Sequence, residues 1–398
     1  MSVTARPRRH EVGVRSTAAV SHRLGQVALC ASCCSPAHST QLNAPAASAL
    51  SSKVPPLDKV RAVSDTAGAP EDPFAPATAA GIRRIAIPTP FAVGRVNVYL
   101  IEDDPLTLID AGPNSGTSFD ALERGIAALG HGLEDIELVI LTHQHIDHLG
   151  LVSLVAGRSG AEVAALDVAV PIVEGFSAET RADDDFAREI MLRHGIPEDV
   201  VVALGAVSQA FRAWGAAVQV TRVLHDGDEV ALRDRTLRVH HRPGHSPTDT
   251  VFHDRDRRTL LAGDHLLAHI SSNPLITRPR DGSQARPQAL VTYLESLRIT
   301  REMDVELVLP GHGNPVTDHR ALIDERFDLH RKRARRIEHL IAERPRSAYD
   351  IAQTLWGNIA VTQAYLTLSE VLGHVDILLN DGRVVERHSE RMSVFEPA

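Results

Sequence analysis

The segment THQHIDHLG, residues 142–150, decides how this chain is read. It holds His143, His145, Asp147 and His148, so four side chains able to bind a metal fall within six positions. It continues ELVILTH, an apolar run that reads as a buried strand, so these groups arrive on a loop at a strand end. On an extended loop His143, His145 and Asp147 alternate and can converge on one side, while His148 points to a neighbouring position. Nitrogen and oxygen donors in this mixture suit hard-to-borderline divalent ions. Histidines this close together also occur on solvated loops, so the reading rests on what the rest of the chain adds.

Three later loops each add one donor: RPGHSPTD brings His245, LAGDHLL brings Asp264 and LPGHG brings His312. Each follows a strand-like run and carries glycine or proline, where a tight turn presents a single side chain. One such loop alone is weak, being more often a turn than a site. All four in this order are specific.

On these residues the chain resembles the metallo-β-lactamase superfamily, whose HxHxDH motif it matches in full. The resemblance covers roughly Ile82 to Asp318. It implies an α/β fold, a four-layer αβ/βα sandwich with metals at one edge of two facing sheets. It also implies that His143, His145 and His245 hold one metal, that Asp147, His148 and His312 hold the second, and that Asp264 bridges them. Two divalent ions, zinc first with iron or manganese accepted by the same donors, would share a water acidic enough to give hydroxide near neutrality. That bridging hydroxide is the expected nucleophile, with Asp147 and Asp264 as catalytic carboxylates. Asp110, in LIDAG, matches the family's first motif and would orient a ligand histidine or its loop. The bland alternative for Asp110 is a turn or helix-cap aspartate.

The resemblance also narrows the branch. Antibiotic-hydrolysing members lack a bridging aspartate, and one of their classes uses a cysteine that this chain lacks, since nothing past Cys34 is cysteine. Asp264 instead looks like the glyoxalase II, lactonase and RNase Z branches. Asp249 stands where glyoxalase II-like proteins commonly carry a histidine. GDHLLAHISSNPLI followed by a C-terminal unit that looks like a winged helix, not the helical domain of glyoxalase II, is similar to bacterial relatives of β-lactamase-like protein 2, a group with an endoribonuclease and many uncharacterised hydrolases.

The organisation around these motifs is read from pattern. Residues 1–80 are rich in Ala, Ser, Pro and Thr without hydrophobic period, and are expected to be an unstructured or targeting tail. Their arginines fit an organelle transit peptide; a bacterial tail or a misassigned start codon fits as well. Residues 81–318 form the expected catalytic domain, with a helical insert at 170–215, and residues 319–344 a connecting helix. Residues 345–398 read as helix, turn, helix, hairpin, the order of a winged helix. Phe176, Phe186, Met191, Phe211 and Trp214 of the insert would either line an apolar lid or pack the insert onto the sandwich.

Composition limits the partners. The 398 residues are 43% hydrophobic and carry a net charge of -9, which gives no overall attraction to nucleic acid or anionic lipid. No apolar run approaches the roughly 20 residues that span a bilayer, so no membrane partner is expected. The three cysteines, Cys30, Cys33 and Cys34, sit in CASCC far from the histidine motifs, which favours a reducing cytoplasm over a disulfide-stapled fold. The basic run HRKRARR, His330 to Arg336, spreads over more than one helical face and reads as a solvated helix. The C-terminal unit has Arg346, Arg383, Arg387 and Arg391 against seven acids, a poor nucleic-acid surface. It is expected to buttress the sandwich or to form a homodimer interface. The favoured reading is hydrolysis of a thioester or ester of a small acyl compound. A phosphodiesterase or endoribonuclease is the alternative, and a non-catalytic metal-binding regulator is a third reading.

Overall fold

The computed structural model describes residues 72–398, apart from 284, 390 and 391. The cysteines, the arginine-rich stretch, Glu390 and Arg391 lie outside the described residues.

Two sheets face each other. The first runs in chain order through β1 (Ile82–Ile87), β2 (Val96–Ile101), β3 (Thr107–Ile109), β4 (Leu138–Ile140), β5 (Glu162–Leu166) and β6 (Arg222–Leu224). The second comprises β7 (Glu229–Ala231), β8 (Thr236–His241), β9 (Thr250–Asp254), β10 (Thr259–Gly263) and β11 (Leu307–Pro310), with β7 and β11 at its edges. From β3 to β6 the pairing is parallel, whereas the second sheet is antiparallel until β10 meets β11. The helices are α1 (Ala75–Ala79), α2 (Gly116–Ala128), α3 (Ile146–Leu149), α4 (Val152–Ser159), α5 (Val170–Glu174), α6 (Phe176–Arg193) and α7 (Glu198–Phe211). Beyond the insert come α8 (Ala289–Arg301), α9 (His319–Glu343), α10 (Ala348–Trp356), α11 (Ile359–Thr362) and α12 (Ala364–Asn380). A hairpin of β12 (Val384–His388) and β13 (Ser393–Pro397) ends the chain.

Side chains alternate across a strand, and the second sheet uses both faces. Phe252, Leu261, Leu307 and Leu309 enter the core shared with the first sheet. Their neighbours Val251, Leu260 and Val308 enter a second core with Leu290, Tyr293 and Leu297 of α8 and Ile323 of α9. On the other side Leu122 and Ile126 of α2 and Val152 and Val155 of α4 cover the first sheet. The result is helix, sheet, sheet, helix. All six residues of β2 are buried, as its unbroken VNVYLI run predicts for a strand covered on both faces. Phe252 is fully buried between the sheets. Phe252→Ala is therefore expected to lower the unfolding free energy by about 3–5 kcal/mol, measured by denaturant titration.

Helix α1 lies inside the stretch read from sequence as tail. Five residues, APATA, are too short to show a period, yet Phe74 and Ala77 are buried in the main core.

The C-terminal unit follows the expected helix, helix, hairpin order, except that Gln363 interrupts the second helix and splits α11 from α12. Ile337 and Ile341 of α9, Ile351 of α10 and Val371 and Leu372 of α12 share one core with Ile190, Met191, Ile196 and Val201 of the insert. Residues Val371 to Asp376 are all buried, so α12 is enclosed on every face along that stretch, while Leu366 in its first turn is exposed. Among the insert's aromatics, Phe176 enters the sandwich core and Phe186 packs on the C-terminal core, as does Met191. Phe211 and Trp214 do neither.

Candidate metal centre

Every sequence-selected donor reaches one edge of the sandwich. His143 and His145 follow β4, Asp147 and His148 sit on the single turn α3, and His245 leaves β8. Asp264 and His312 follow the parallel neighbours β10 and β11.

They form two groups that share a carboxylate. His143 Nε2 and His245 Nε2 lie 3.1 Å and 2.9 Å from His145 Nδ1. Asp147 Oδ2 is 3.2 Å from His312 Nε2, and these two stand with His148. Between the groups, Asp264 Oδ1 is 3.5 Å from His148 Nε2, while its Oδ2 lies 3.6 Å from His245 Nε2 and 3.5 Å from His312 Nε2.

In four of the five rings the outer nitrogen explains why the inner one faces this point. His148 Nδ1 donates to Asp110 Oδ2 at 2.7 Å, His245 Nδ1 to the Asn273 carbonyl at 3.0 Å, and His312 Nδ1 to the Arg95 carbonyl at 2.9 Å. Thr142 donates its hydroxyl to Asp110 Oδ2 at 2.7 Å, so its oxygen is free to accept from His143 Nδ1 at 3.0 Å. In their neutral forms the rings of His143, His148, His245 and His312 thus keep a lone pair on Nε2. His148 Nε2, His312 Nε2 and Asp264 Oδ1 are buried without a hydrogen-bond partner. Buried polar atoms in that state are costly, and lone pairs aimed at a common point fit divalent cations.

Electrostatics follow the grouping. Burial holds the imidazole of His143 well below its ordinary range, and that of His145 down to about 3, each with histidine neighbours opposing a further charge. Burial alone would lower His148, but Asp110, Asp264 and Asp147 outweigh it and raise it well above the ordinary value. Burial would likewise raise Asp264, yet His312 and His148 hold it well below the ordinary carboxylate range.

Asp110 has a backbone φ of 60°, in the left-handed region that non-glycine residues seldom occupy. That geometry turns its carboxylate under the Thr142 backbone N–H, at 2.9 Å, as well as onto His148. Gly311 matters for a different reason: a Cβ there would overlap Asp264 Oδ1 and lie 2.7 Å from His148 Cε1. Asp249 is buried and closes the His245 turn by accepting the Ser246 backbone N–H at 2.9 Å.

Several supporting residues carried no usable sequence signal. Asn97 and Tyr99 of β2 hold the His312 loop, donating to the Pro310 carbonyl at 3.0 Å and 2.7 Å. Thr142 reads as part of a strand and Asn273 as loop filler; a polar residue within an apolar strand was the one cue for Asn97.

A second group of possible ligands, His330, Glu370 and His374, is already satisfied. His374 Nδ1 donates to the Glu370 carbonyl at 2.6 Å, His330 Nδ1 donates to His374 Nε2 at 3.1 Å, and Ser271 Oγ lies 3.3 Å from His330 Nε2. Arg333, from the basic run, turns inward to pair with the Glu370 carboxylate. These are packed core histidines.

The fold and this edge define the class, and comparison with known proteins agrees. Residues 92–312 match the metallo-beta-lactamase superfamily model. The chain belongs to the metallo-beta-lactamase superfamily and is a metal-dependent hydrolase within it. More particularly, it is 37% identical over 295 residues to "Probable metallo-hydrolase YqjP" of Bacillus subtilis (strain 168), a match spanning 74% of this chain and 91% of that protein. A crystal structure of a metallo-beta-lactamase family protein from Thermus thermophilus superposes with a TM-score of 0.69 at 26% identity, covering 80% of this chain and 99% of that one. A shorter stretch of 111 residues is 52% identical to "Acyl-coenzyme A thioesterase MBLAC2" of Homo sapiens, covering 25% of this chain and 33% of that protein.

Proposed function

We propose that this hydrolase cleaves a thioester or ester of a small, partly apolar acyl compound. The carrying observation is an aromatic cluster beside the metal-binding edge. Phe91, from the β1–β2 connection, meets Phe211 and Trp214 at ring centroid distances of 5.6 Å and 5.7 Å, and those two are 5.9 Å apart. Two backbone contacts tie the segments that carry the cluster to the segments that carry the donors. The Trp214 carbonyl oxygen lies so close to Gly150, the residue that ends α3, that a Cβ there would overlap it. The β1–β2 connection supplies the Arg95 carbonyl that orients His312. Phe211 remains 38% exposed, leaving apolar surface for an acyl group. The partial match to an acyl-coenzyme A thioesterase supports the same substrate class.

Bound divalent ions, with zinc the first expectation, would supply an activated water and polarise the attacked carbonyl. The chain's own part is to hold donors. Asp264 faces both groups, with Oδ1 toward His148 and Oδ2 toward His245 and His312, Asp110 and the Asn273 and Arg95 carbonyls fix the ring tautomers, and the aromatic cluster seats the acyl part. The enclosed α12 and the acidic C-terminal unit support a bracing role there, and no nucleic-acid partner is proposed. Among the described residues no helix is long and apolar enough to cross a membrane.

The test is a panel of acyl-thioesters of increasing chain length, lactones and single-stranded RNA, with a metal-reconstituted preparation. Metal-dependent cleavage of carbonyl substrates alone is expected. Trp214→Ala and Phe211→Ala should each raise KM for the longer acyl chains by about 10-fold, as losing one buried aromatic contact implies, with little change for acetyl substrates. Cleavage of RNA alone would overturn the proposal in favour of phosphodiester chemistry.

A further inference from the structure

The chain between β10 and α8 crosses from the metal-binding edge to the C-terminal helices, touching both. At the first end, Ser272 donates its hydroxyl to the backbone carbonyl of Asp264. Asn273 accepts from His245 Nδ1 through its carbonyl at 3.0 Å, and Leu275 N–H donates to the His245 carbonyl at 3.3 Å. At the second end, Asn273 Nδ2 donates to the Leu366 carbonyl at 3.1 Å and the Tyr365 hydroxyl donates to the Ile276 carbonyl, both at the start of α12. Further along, Arg286 pairs with the buried Asp376 of α12 at 2.5 Å and 2.8 Å. Arg278 and Arg280 pair with Glu179 of α6.

We propose that Asn273 is a positioning residue, through which the C-terminal helical unit sets the orientation of His245. A ligand imidazole has two useful states, and a carbonyl fixed opposite Nδ1 selects the one whose Nε2 faces the cation. That carbonyl belongs to an irregular segment with no sheet neighbour, among the described residues, to hold it. The Ser272 and Leu275 bonds tie it to the donor loops themselves, and the Asn273 side-chain bond to Leu366 and the Tyr365 bond to Ile276, three residues on, anchor it from outside. The other orienting groups lie elsewhere: Asp110 and Thr142 belong to the sandwich, as does the Arg95 carbonyl facing His312. The unit that closes the sequence is thus part of the metal-binding apparatus, without contributing a ligand.

This inference rests on the metal-site reading, and the experiment separates the two. Zinc binding to the metal-free full-length protein is measured by competition with a chelating indicator, and cobalt binding by its visible absorption. Asn273→Ala and Tyr365→Phe are compared with wild type and with Arg387→Ala on the exposed hairpin. The expected result is a roughly 10- to 100-fold loss of affinity confined to the ion held by His143, His145 and His245, the range for outer-layer changes. The cobalt spectrum at that ion should change, and Arg387→Ala should match wild type. Tyr365→Phe removes only one hydroxyl and keeps the ring, so it carries the test should Asn273→Ala fail to fold. Wild-type affinities in both variants, or an equal loss at every bound ion, would overturn the positioning role. A wild-type protein that binds no zinc would instead overturn the metal-site reading itself.

Discussion

Asp264→Ala is expected to abolish metal-dependent turnover, with kcat/KM falling by at least about 10³-fold, equivalent to ~4 kcal/mol of lost transition-state stabilisation. The geometry explains the size. Asp264 is the carboxylate that faces both groups, His148 through Oδ1 and His245 and His312 through Oδ2. Its removal leaves the imidazoles to hold cations without the shared negative charge. Metal analysis after dialysis should show loss from both groups. A fully metallated, fully active variant would overturn the bridging role.

Asp110→Asn is the second large effect, although Asp110 points at no cation. Asparagine tolerates a φ of 60° as well as aspartate does, so the backbone is not the variable. The variable is the sign of the hydrogen bonds. Asp110 accepts from His148 Nδ1, the Thr142 hydroxyl and the Thr142 backbone N–H. An amide has one acceptor oxygen for these three donors, so its NH2 group must oppose at least one. An NH2 in place of Oδ2 frees His148 to turn and reverses the Thr142 hydroxyl, and one in place of Oδ1 opposes the Thr142 backbone N–H beside His143. Metal affinity is expected to fall about 10- to 100-fold, read by chelator competition, with a parallel loss of kcat. An unchanged affinity would make Asp110 a turn residue, the bland alternative its sequence context allowed.

The candidate donor set was legible because four donors crowd into HQHIDH just after the apolar run ELVIL, and His245, Asp264 and His312 each stand directly after a glycine, a pattern that survives without any knowledge of contacts. Asp110 was legible through its family motif alone. The outer layer was not. Asn273 acts through a backbone carbonyl, which every residue possesses, and Thr142 acts through a hydroxyl inside a strand-like run. Helix α1 was hidden by its brevity, since five residues span little more than one turn and cannot show a 3.6-residue period. Of the five apolar insert residues named from sequence, Phe176, Phe186 and Met191 turned out to be packing residues, while Phe211 and Trp214 cluster with Phe91 instead. Spacing along a helix gives no sign of which neighbour it will meet.

The joint core of the insert and the C-terminal helices has an evolutionary consequence. Ile190 and Met191 of α6 pack with Ile351 and Val371 of the C-terminal unit, so there is no seam at which either segment could be exchanged as a cassette. A lineage that reshapes the insert to admit a new substrate must adjust the terminal helices in step, because each supplies the other's apolar wall. The two segments are therefore expected to be inherited as one unit, and chimaeras that swap only one of them should be recovered far less often than those that swap both.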